Sequence, residues 1–127
     1  MAVPEGEGAP RLVSVPFDVE GVRARLEAGN GGYEIVHSSP GLEIGVYVLV
    51  APEPDRQQPH AVDEVYVVLE GRGALEIEGD TVELEHGQAV FVPAGADHRF
   101  TGYEQMSVLV IFAGQSDLAR VQASVSE

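Results

Sequence analysis

The sequence predicts an all-β domain, either a sandwich or a small barrel. Short runs rich in Val, Ile, Leu and aromatic residues recur from residue 33 to residue 113, and Gly, Pro, Asp or Asn separates most of them. About eight short strands at such spacing are typical of sandwiches and small barrels. The chain has 127 residues, 44% of them hydrophobic, which suits one domain with its own core.

The first 32 residues are predicted to form an N-terminal arm that contains one short helix. Residues 1–10 read as a loose tail, and residues 11–17 (RLVSVPF) as a short strand. Residues 19–28 (VEGVRARLEA) are predicted to be helical, and the glycines at 29, 31 and 32 end that helix.

The barrel is predicted to occupy residues 33–114. Its strands are expected over residues 33–37, 43–51, 64–70, 73–79, 81–85, 88–93, 98–102 and 107–113. The clearest hairpin is LEIEGDTVELE, in which apolar residues alternate with glutamates on both sides of a bend placed at Gly79 and Asp80. Residues 115–127 are predicted to be a short C-terminal helix or tail, with Ser116 as its cap and Leu118, Val121 and Val125 at helical spacing.

Charge and composition exclude several classes of function. The chain has seven Lys and Arg residues against 21 Asp and Glu, a net charge of −14, which disfavours binding to nucleic acid or anionic membranes. It has no cysteine, so thiolate metal sites and cysteine nucleophiles are excluded. The first ten residues do not read as a signal peptide, and no apolar run is long enough for a membrane helix. We expect a cytoplasmic protein.

Potential metal ligands gather just before the strand that begins at residue 64. Gln58 and His60 would share one face of a strand, but a straight strand would place Glu64 roughly 13 Å beyond His60. Metal bonds to N and O are only about 2.0–2.2 Å long, so we expect the chain to bend between His60 and Glu64. His98 begins a later strand after Pro93 and could supply a third ligand. The alternative is that these are structural polar residues at strand ends.

The two segments around these ligands resemble the two motifs of the cupin superfamily. The first motif matches as Gln58-Pro-His60-Ala-Val-Asp-Glu64 followed, after six residues, by Gly71. The second matches as Gly87, five residues, Pro93-Ala-Gly95-Ala-Asp-His98, three residues and Gly102. Gln58 stands where the family usually has its first metal histidine, and Gly102 where asparagine is common. The spacing agrees at every fixed position, and the resemblance covers about residues 40–113.

This resemblance implies a cupin-type double-stranded β-helix, or jelly-roll, barrel with a metal ion inside. His60, Glu64 and His98 would hold the ion, with the Gln58 amide as an optional fourth ligand or as a hydrogen-bonding group. Two imidazoles and one carboxylate with open positions suit Fe(II) and oxygen chemistry, although Mn, Ni and Zn stay open. The resemblance also implies a homodimer in which strands such as residues 33–37 cross to the partner, covering an exposed strand edge.

Three aromatic side chains are predicted to line the same interior, as a small-molecule pocket or as plain barrel core: Tyr47, Tyr66 and Phe100. Tyr66 is the leading candidate for a general acid or base, with Tyr47 second. His37 is expected to be structural or interfacial, His86 exposed, Asp63 in a turn and Arg99 in a surface ion pair.

Two classes of function remain open on the sequence. The first is a metal-dependent enzyme that acts on a small organic molecule, with a dioxygenase preferred over an isomerase or lyase. The second is a non-catalytic cupin that binds or senses a small ligand, which the weak ligand Gln58 would suit. The fold alone does not identify the substrate.

Overall fold

The computed structural model describes residues 14–114. These residues form one helix followed by seven strands, namely α1 (Val19–Ala28), β1 (Gly32–Ser39), β2 (Leu42–Val50), β3 (Glu64–Ile77), β4 (Asp80–Glu85), β5 (Ala89–Val92), β6 (His98–Thr101) and β7 (Gln105–Phe112). The predicted all-β architecture is therefore confirmed. The predicted tail over residues 1–10 and C-terminal helix over residues 115–127 lie outside the described residues.

Helix α1 spans the residues predicted for it. Asp18 caps its start, because the Asp18 carboxylate accepts a hydrogen bond from the backbone N–H of Gly21 at 2.9 Å. The helix buries Val22 against Val46 and Val48 of β2, forming a small second core on the outer face of the sheet. Residues 14–18 have no regular structure, so the strand predicted over residues 11–17 is absent from its described part.

The strands pair antiparallel in the order β1-β2-β7-β3-β4, and β5 and β6 also pair with β3. The first half of β3 lies between β7 and β5, whereas its second half lies between β4 and β6. Strand β3 therefore passes from one sheet into the other and joins the two halves of the barrel. The main core lies between them and includes Tyr66, Leu75, Phe100, Met106 and Val108.

Strand β3 replaces two strands that the sequence predicts separately, over residues 64–70 and 73–79. The ladder with β7 shifts register between Val68 and Glu70, and Gly71 follows with a φ of 80°. A Cβ atom at Gly71 would lie 2.2 Å from the carbonyl oxygen of Gln105. This glycine therefore permits a bend within one strand, where the sequence suggests a break between two strands.

The β3–β4 hairpin turns one residue earlier than predicted. Ile77 pairs with Asp80, so the two turn residues are Glu78 and Gly79, with φ of 47° and 85°. Positive φ at both positions is typical of a type I′ turn, whose twist matches that of the flanking strands. Leu75 and Leu84 are buried, as the alternating pattern predicts. No helix in the described part of the chain is long and apolar enough to cross a membrane.

Candidate metal centre

Three potential ligands meet at the end of the barrel where β3 and β6 begin. Glu64 is the first residue of β3, His98 is the first of β6, and His60 lies in the irregular segment before β3. Their ligand atoms all lie within 4.8 Å of one another. His98 Nε2 is 3.0 Å from Glu64 Oε1, and His60 Nε2 is 3.9 Å from the same oxygen. The structure thus brings together the three residues that the spacing singles out.

Two hydrogen bonds, one of them between backbone groups, hold the two motifs against each other. The Gly95 N–H donates to the His60 carbonyl oxygen at 2.7 Å. The Ala94 N–H donates to Asp63 Oδ1 at 2.8 Å, so the predicted turn residue Asp63 also joins the two segments. The chain from residue 51 to residue 63 is not a strand, so it is free to bend. These two bonds hold the bent segment in place, with His60 close to Glu64.

Glu64 is a buried carboxylate that lies between two imidazole rings. The exposed side-chain fractions are 1% for Glu64, 0% for His98 and 15% for His60. Within the described residues neither carboxylate oxygen of Glu64 has a hydrogen-bond partner, although His98 Nε2 lies close to one of them. A buried carboxylate without such partners is costly unless a cation compensates it. Bonds of about 2.0–2.2 Å would place neighbouring ligand atoms about 3 Å apart, so the observed separations suit one shared ion.

His98 is oriented for ligation by a bond on the far side of its ring. Its Nδ1 lies 2.9 Å from the Ala96 carbonyl oxygen, which can only accept, so Nδ1 carries the proton and Nε2 faces the site. Burial lowers the pKa of His98, but the adjacent Glu64 carboxylate, the hydrogen bond with the Ala96 carbonyl and the charge of Asp55 more than offset this effect, so the pKa is raised. A proton on Nε2 would therefore compete with a metal ion for this nitrogen.

The amide that lies in this cluster belongs to Gln57, and the sequence prediction of Gln58 is displaced by one residue. Gln57 is partly buried, and its Oε1 accepts from the Tyr66 hydroxyl at 2.8 Å and lies 3.3 Å from His60 Nε2. Gln58 is exposed. The prediction assumed that Gln58 and His60 share one face of a strand, but this segment is irregular, so alternation by two does not hold.

A buried aspartate that the sequence analysis missed fixes the orientation of Gln57. Asp55 Oδ2 accepts from Gln57 Nε2 at 2.6 Å and from the Phe100 N–H at 2.8 Å. Asp55 Oδ1 accepts from the Tyr47 hydroxyl at 2.7 Å. Because the Gln57 NH₂ group donates to this carboxylate, its carbonyl oxygen must face His60 and Tyr66. Asp55 occupies no position of either motif, so spacing carried no signal for it.

A cavity of about 410 Å³ opens beside the cluster, and Gln57 and His60 form part of its lining. The other lining residues are aromatic, apolar or charged, namely Tyr33, Tyr47, Glu53, Pro54, Arg56, Val110 and Phe112. Of the three aromatic residues predicted for a pocket, Tyr47 lines this cavity. Tyr66 and Phe100 are fully buried and pack edge to face with ring centroids 4.7 Å apart, so they belong to the core. The Tyr66 hydroxyl still reaches the cluster, at 3.0 Å from His98 Nε2.

The three tyrosine hydroxyls around the site are held in their protonated form. Burial is the main cause that raises the pKa of Tyr33, Tyr47 and Tyr66, and neighbouring carboxylates raise each pKa further. Tyr33, which the sequence analysis did not single out, donates to the buried carboxylate of Glu43 at 2.8 Å. Its ring lies over Gly45, where a Cβ atom would approach the ring to 2.3 Å. Gly45 is therefore what allows the Tyr33 ring to line the cavity.

The remaining polar residues singled out by sequence lie away from the cluster. Arg99 pairs with Glu76 at the surface at 3.2 Å, and His86 is exposed, as predicted. His37 lies on β1 and contacts Ser39 Oγ at 3.3 Å, with the Phe17 ring nearby. His37 thus takes a structural position.

Comparison with known proteins agrees with this architecture. The family model for the cupin domain matches residues 46–112, which contain both motifs. An uncharacterised protein of Streptomyces coelicolor is 37% identical over 98 residues, covering 76% of this chain and 93% of its own. An uncharacterised protein of Aquifex aeolicus is 33% identical over 109 residues, covering 80% of this chain and 88% of its own.

Solved structures show the same fold at low sequence identity. A cupin with a double-stranded β-helix fold from Methanocaldococcus jannaschii aligns with a TM-score of 0.67 at 14% identity, covering 82% of this chain and 94% of that one. KdgF from a Halomonas species aligns with a TM-score of 0.63 at 20% identity, covering 72% and 84%. Salicylate 1,2-dioxygenase from Pseudoaminobacter salicylatoxidans aligns with a TM-score of 0.61 at 20% identity, covering 78% of this chain and 29% of that one. With the family model matching more than half of its residues, the chain belongs to the cupin domain family.

Proposed function

We propose that this cupin binds one divalent transition metal ion through His60, Glu64 and His98, and that it acts on a small organic molecule as a dioxygenase. The observation that carries the proposal is the buried Glu64 carboxylate, which has no hydrogen-bond partner within the described residues and faces two imidazoles. The Gln57 carbonyl oxygen would be a fourth, neutral ligand, replacing the predicted Gln58.

Fe(II) is the favoured metal, because two histidines and one carboxylate form the donor set typical of non-haem iron oxygenases. Mn, Ni and Zn are the alternatives that this donor set also accepts. When bound, the ion would supply Lewis acidity and, as iron, electron transfer with dioxygen. The cavity would hold the organic substrate beside the ion, since His60 and Gln57 line both.

The three tyrosines around the site do not supply the base that an isomerase or a lyase would need. Isomerases and lyases require a protein group that removes a proton from the substrate. The hydroxyls of Tyr33, Tyr47 and Tyr66 are protonated and already donate to Glu43, Asp55 and Gln57, so they do not act as bases near neutral pH. Tyr66, the leading acid–base candidate, also lies outside the cavity lining. Its hydroxyl would instead donate to Gln57 Oε1 and so help to orient that amide.

The apolar walls of the cavity would keep water away from the reacting centre. Val110 and Phe112 are buried residues of β7 that line the cavity, and the Phe112 ring packs edge to face on the His60 ring with centroids 5.0 Å apart. This contact also restricts rotation of the His60 ring. A metal-binding side chain with a fixed orientation, beside an apolar pocket, would help to hold the substrate in a reactive position.

The second candidate is a binding or sensing cupin without turnover, which the neutral amide of Gln57 favours because it is a weaker ligand than imidazole.

The test of the two candidates is to load the protein anaerobically with Fe(II), add oxygen and a panel of small organic molecules, and measure oxygen uptake and isotopically labelled products by mass spectrometry. The dioxygenase proposal expects substrate-dependent oxygen uptake that His98→Ala abolishes. A compound that binds equally well with and without metal, and that is never converted, would instead establish the binding module.

We also propose that the protein is a homodimer with a small-molecule ligand or substrate as its other partner. Strand β1 pairs with β2 of its own chain and is the edge strand of the described sheet. Ile35 on this strand is 38% exposed, and Phe17 and Leu42 are exposed as well. A second copy would cover this edge, which is a common way to protect an open strand.

A further inference from the structure

Arg56 is a cation at the cavity whose charge has no partner within residues 14–114. It lines the cavity, is exposed, and makes no ion pair or hydrogen bond with any described residue. By contrast, Arg23, Arg25 and Arg99 all pair with glutamates. In a chain with a net charge of −14, a cavity arginine that no carboxylate neutralises is available to an anion from solution.

The backbone at Arg56 is held in place from both sides. The preceding residue, Asp55, is buried and accepts hydrogen bonds from Tyr47 and from the Phe100 N–H. The following residue, Gln57, is fixed through its bonds to Asp55 and Tyr66. The same hydrogen bonds that orient the metal-site amide therefore present the Arg56 side chain at the cavity. This arrangement reduces the ordering cost of binding a ligand there.

The cavity has a second charged residue, Glu53, which is exposed. The rest of its lining is apolar or aromatic, or consists of the metal-side groups Gln57 and His60. A ligand that satisfies the whole cavity would carry an anionic group for Arg56 and an apolar body for Phe112 and Val110. A guanidinium group binds a carboxylate through two parallel hydrogen bonds, which also fixes the direction of the ligand.

We propose that the substrate is a small organic carboxylate, held by Arg56 and oriented with its apolar body between that residue and the metal centre. The inference rests on the proposed function, because it names the substrate class of the same site. It assigns Arg56 as the residue that determines specificity for an anion.

The test uses benzoate and benzamide, which have similar size and differ in charge, and measures their binding to the full-length, chelator-treated protein by NMR titration. Removing metal ensures that the carboxylate is not simply bound by the ion. We expect benzoate to bind more tightly than benzamide, and Arg56→Gln to weaken benzoate at least tenfold without changing benzamide. Arg56→Lys should lose part of the affinity, because lysine keeps the charge without the planar fork.

Arg72→Gln is the matched control, because Arg72 is also exposed, its side chain has no ion pair or hydrogen bond in the described part of the chain, and it lies outside the cavity lining. It removes the same net charge and should change benzoate binding less than twofold. Equal binding of benzoate and benzamide, no benzoate binding, or equal losses in Arg56→Gln and Arg72→Gln would overturn the inference. If the protein nevertheless binds a full equivalent of metal, any of these results would refute the role of Arg56 and not the proposed metal site. A protein that selects benzoate through Arg56 but never takes up metal would refute only the metal-dependent function.

Discussion

Replacing Gln57 with alanine removes the amide that lies in the candidate metal centre, whereas the same change at Gln58 removes an exposed side chain. Gln57 makes two hydrogen bonds, one donated to Asp55 and one accepted from Tyr66, and its Oε1 lies 3.3 Å from His60 Nε2. Gln57→Ala is therefore expected to weaken metal binding, and Gln58→Ala is expected to leave it unchanged.

The size of the effect follows from what each partner of Gln57 retains. Asp55 keeps its bonds from Tyr47 and from the Phe100 N–H, and Tyr66 keeps its contact with His98. No buried partner is left without a hydrogen bond. Gln57→Ala removes two hydrogen bonds, each of which contributes about 0.5–1 kcal/mol net, so the free energy of unfolding should fall by about 1–2 kcal/mol. Groups that support a metal site typically contribute on the order of 10- to 100-fold in affinity, and we expect a loss in this range.

The assay is competitive titration of Fe(II) or Zn(II) against a chromophoric chelator, with the wild type and the two alanine variants measured in parallel. Thermal unfolding of the metal-free variants measures the change in folding stability separately from the change in metal affinity. Gln58→Ala should stay within about 0.5 kcal/mol of the wild type. Equal metal affinity in all three proteins, or a loss confined to Gln58→Ala, would refute the assignment of Gln57 to the metal centre.

Three other predictions concern the buried carboxylate, the bend in β3 and the dimer. Glu64→Gln should abolish stabilisation by metal, which in the wild type should reach about 2.7 kcal/mol at a free metal concentration of 100 Kd, as thermal unfolding with and without metal will measure. Gly71→Ala should cost several times more stability than Gly79→Ala in chemical denaturation, because both have positive φ but only Gly71 would bring a Cβ within 2.2 Å of the Gln105 carbonyl oxygen. Similar losses would contradict the account of the bend. Light scattering at micromolar concentration should give the mass of a dimer, and a monomer would remove the proposed interface.

The sequence predicted those parts of the molecule in which local pattern and structure agree. Helix α1 follows from its spacing and from the glycines that end it, and the positions of His60, Glu64 and His98 follow from motif spacing. The two strands predicted over residues 64–70 and 73–79 are one strand, because Gly71 marks a bend where it packs against Gln105. A glycine in the sequence is compatible with either a bend within one strand or a break between two strands. Here the pairing of β3 with β7 continues as far as Gly71, so the chain bends without ending the strand.

The cavity and the supporting network were much less visible in sequence. The Asp55 carboxylate accepts from the Phe100 N–H, 45 residues away in the chain, and no local pattern reports such a contact. The choice between Gln57 and Gln58 depends on the backbone of an irregular segment, where side chains do not alternate regularly. Tyr66 and Phe100 lie in the interior, as predicted, but the sequence did not distinguish the core from the cavity wall.

The central claim is that His60, Glu64 and His98 hold one metal ion, and elemental analysis tests it most directly. The untagged protein should be reconstituted anaerobically with Fe(II), desalted and measured beside the His60→Ala/His98→Ala double variant, with folding of both checked by circular dichroism. We expect close to one metal ion per chain in the wild type and none in the variant. A folded wild type without metal, or a variant that retains as much metal as the wild type, would contradict it.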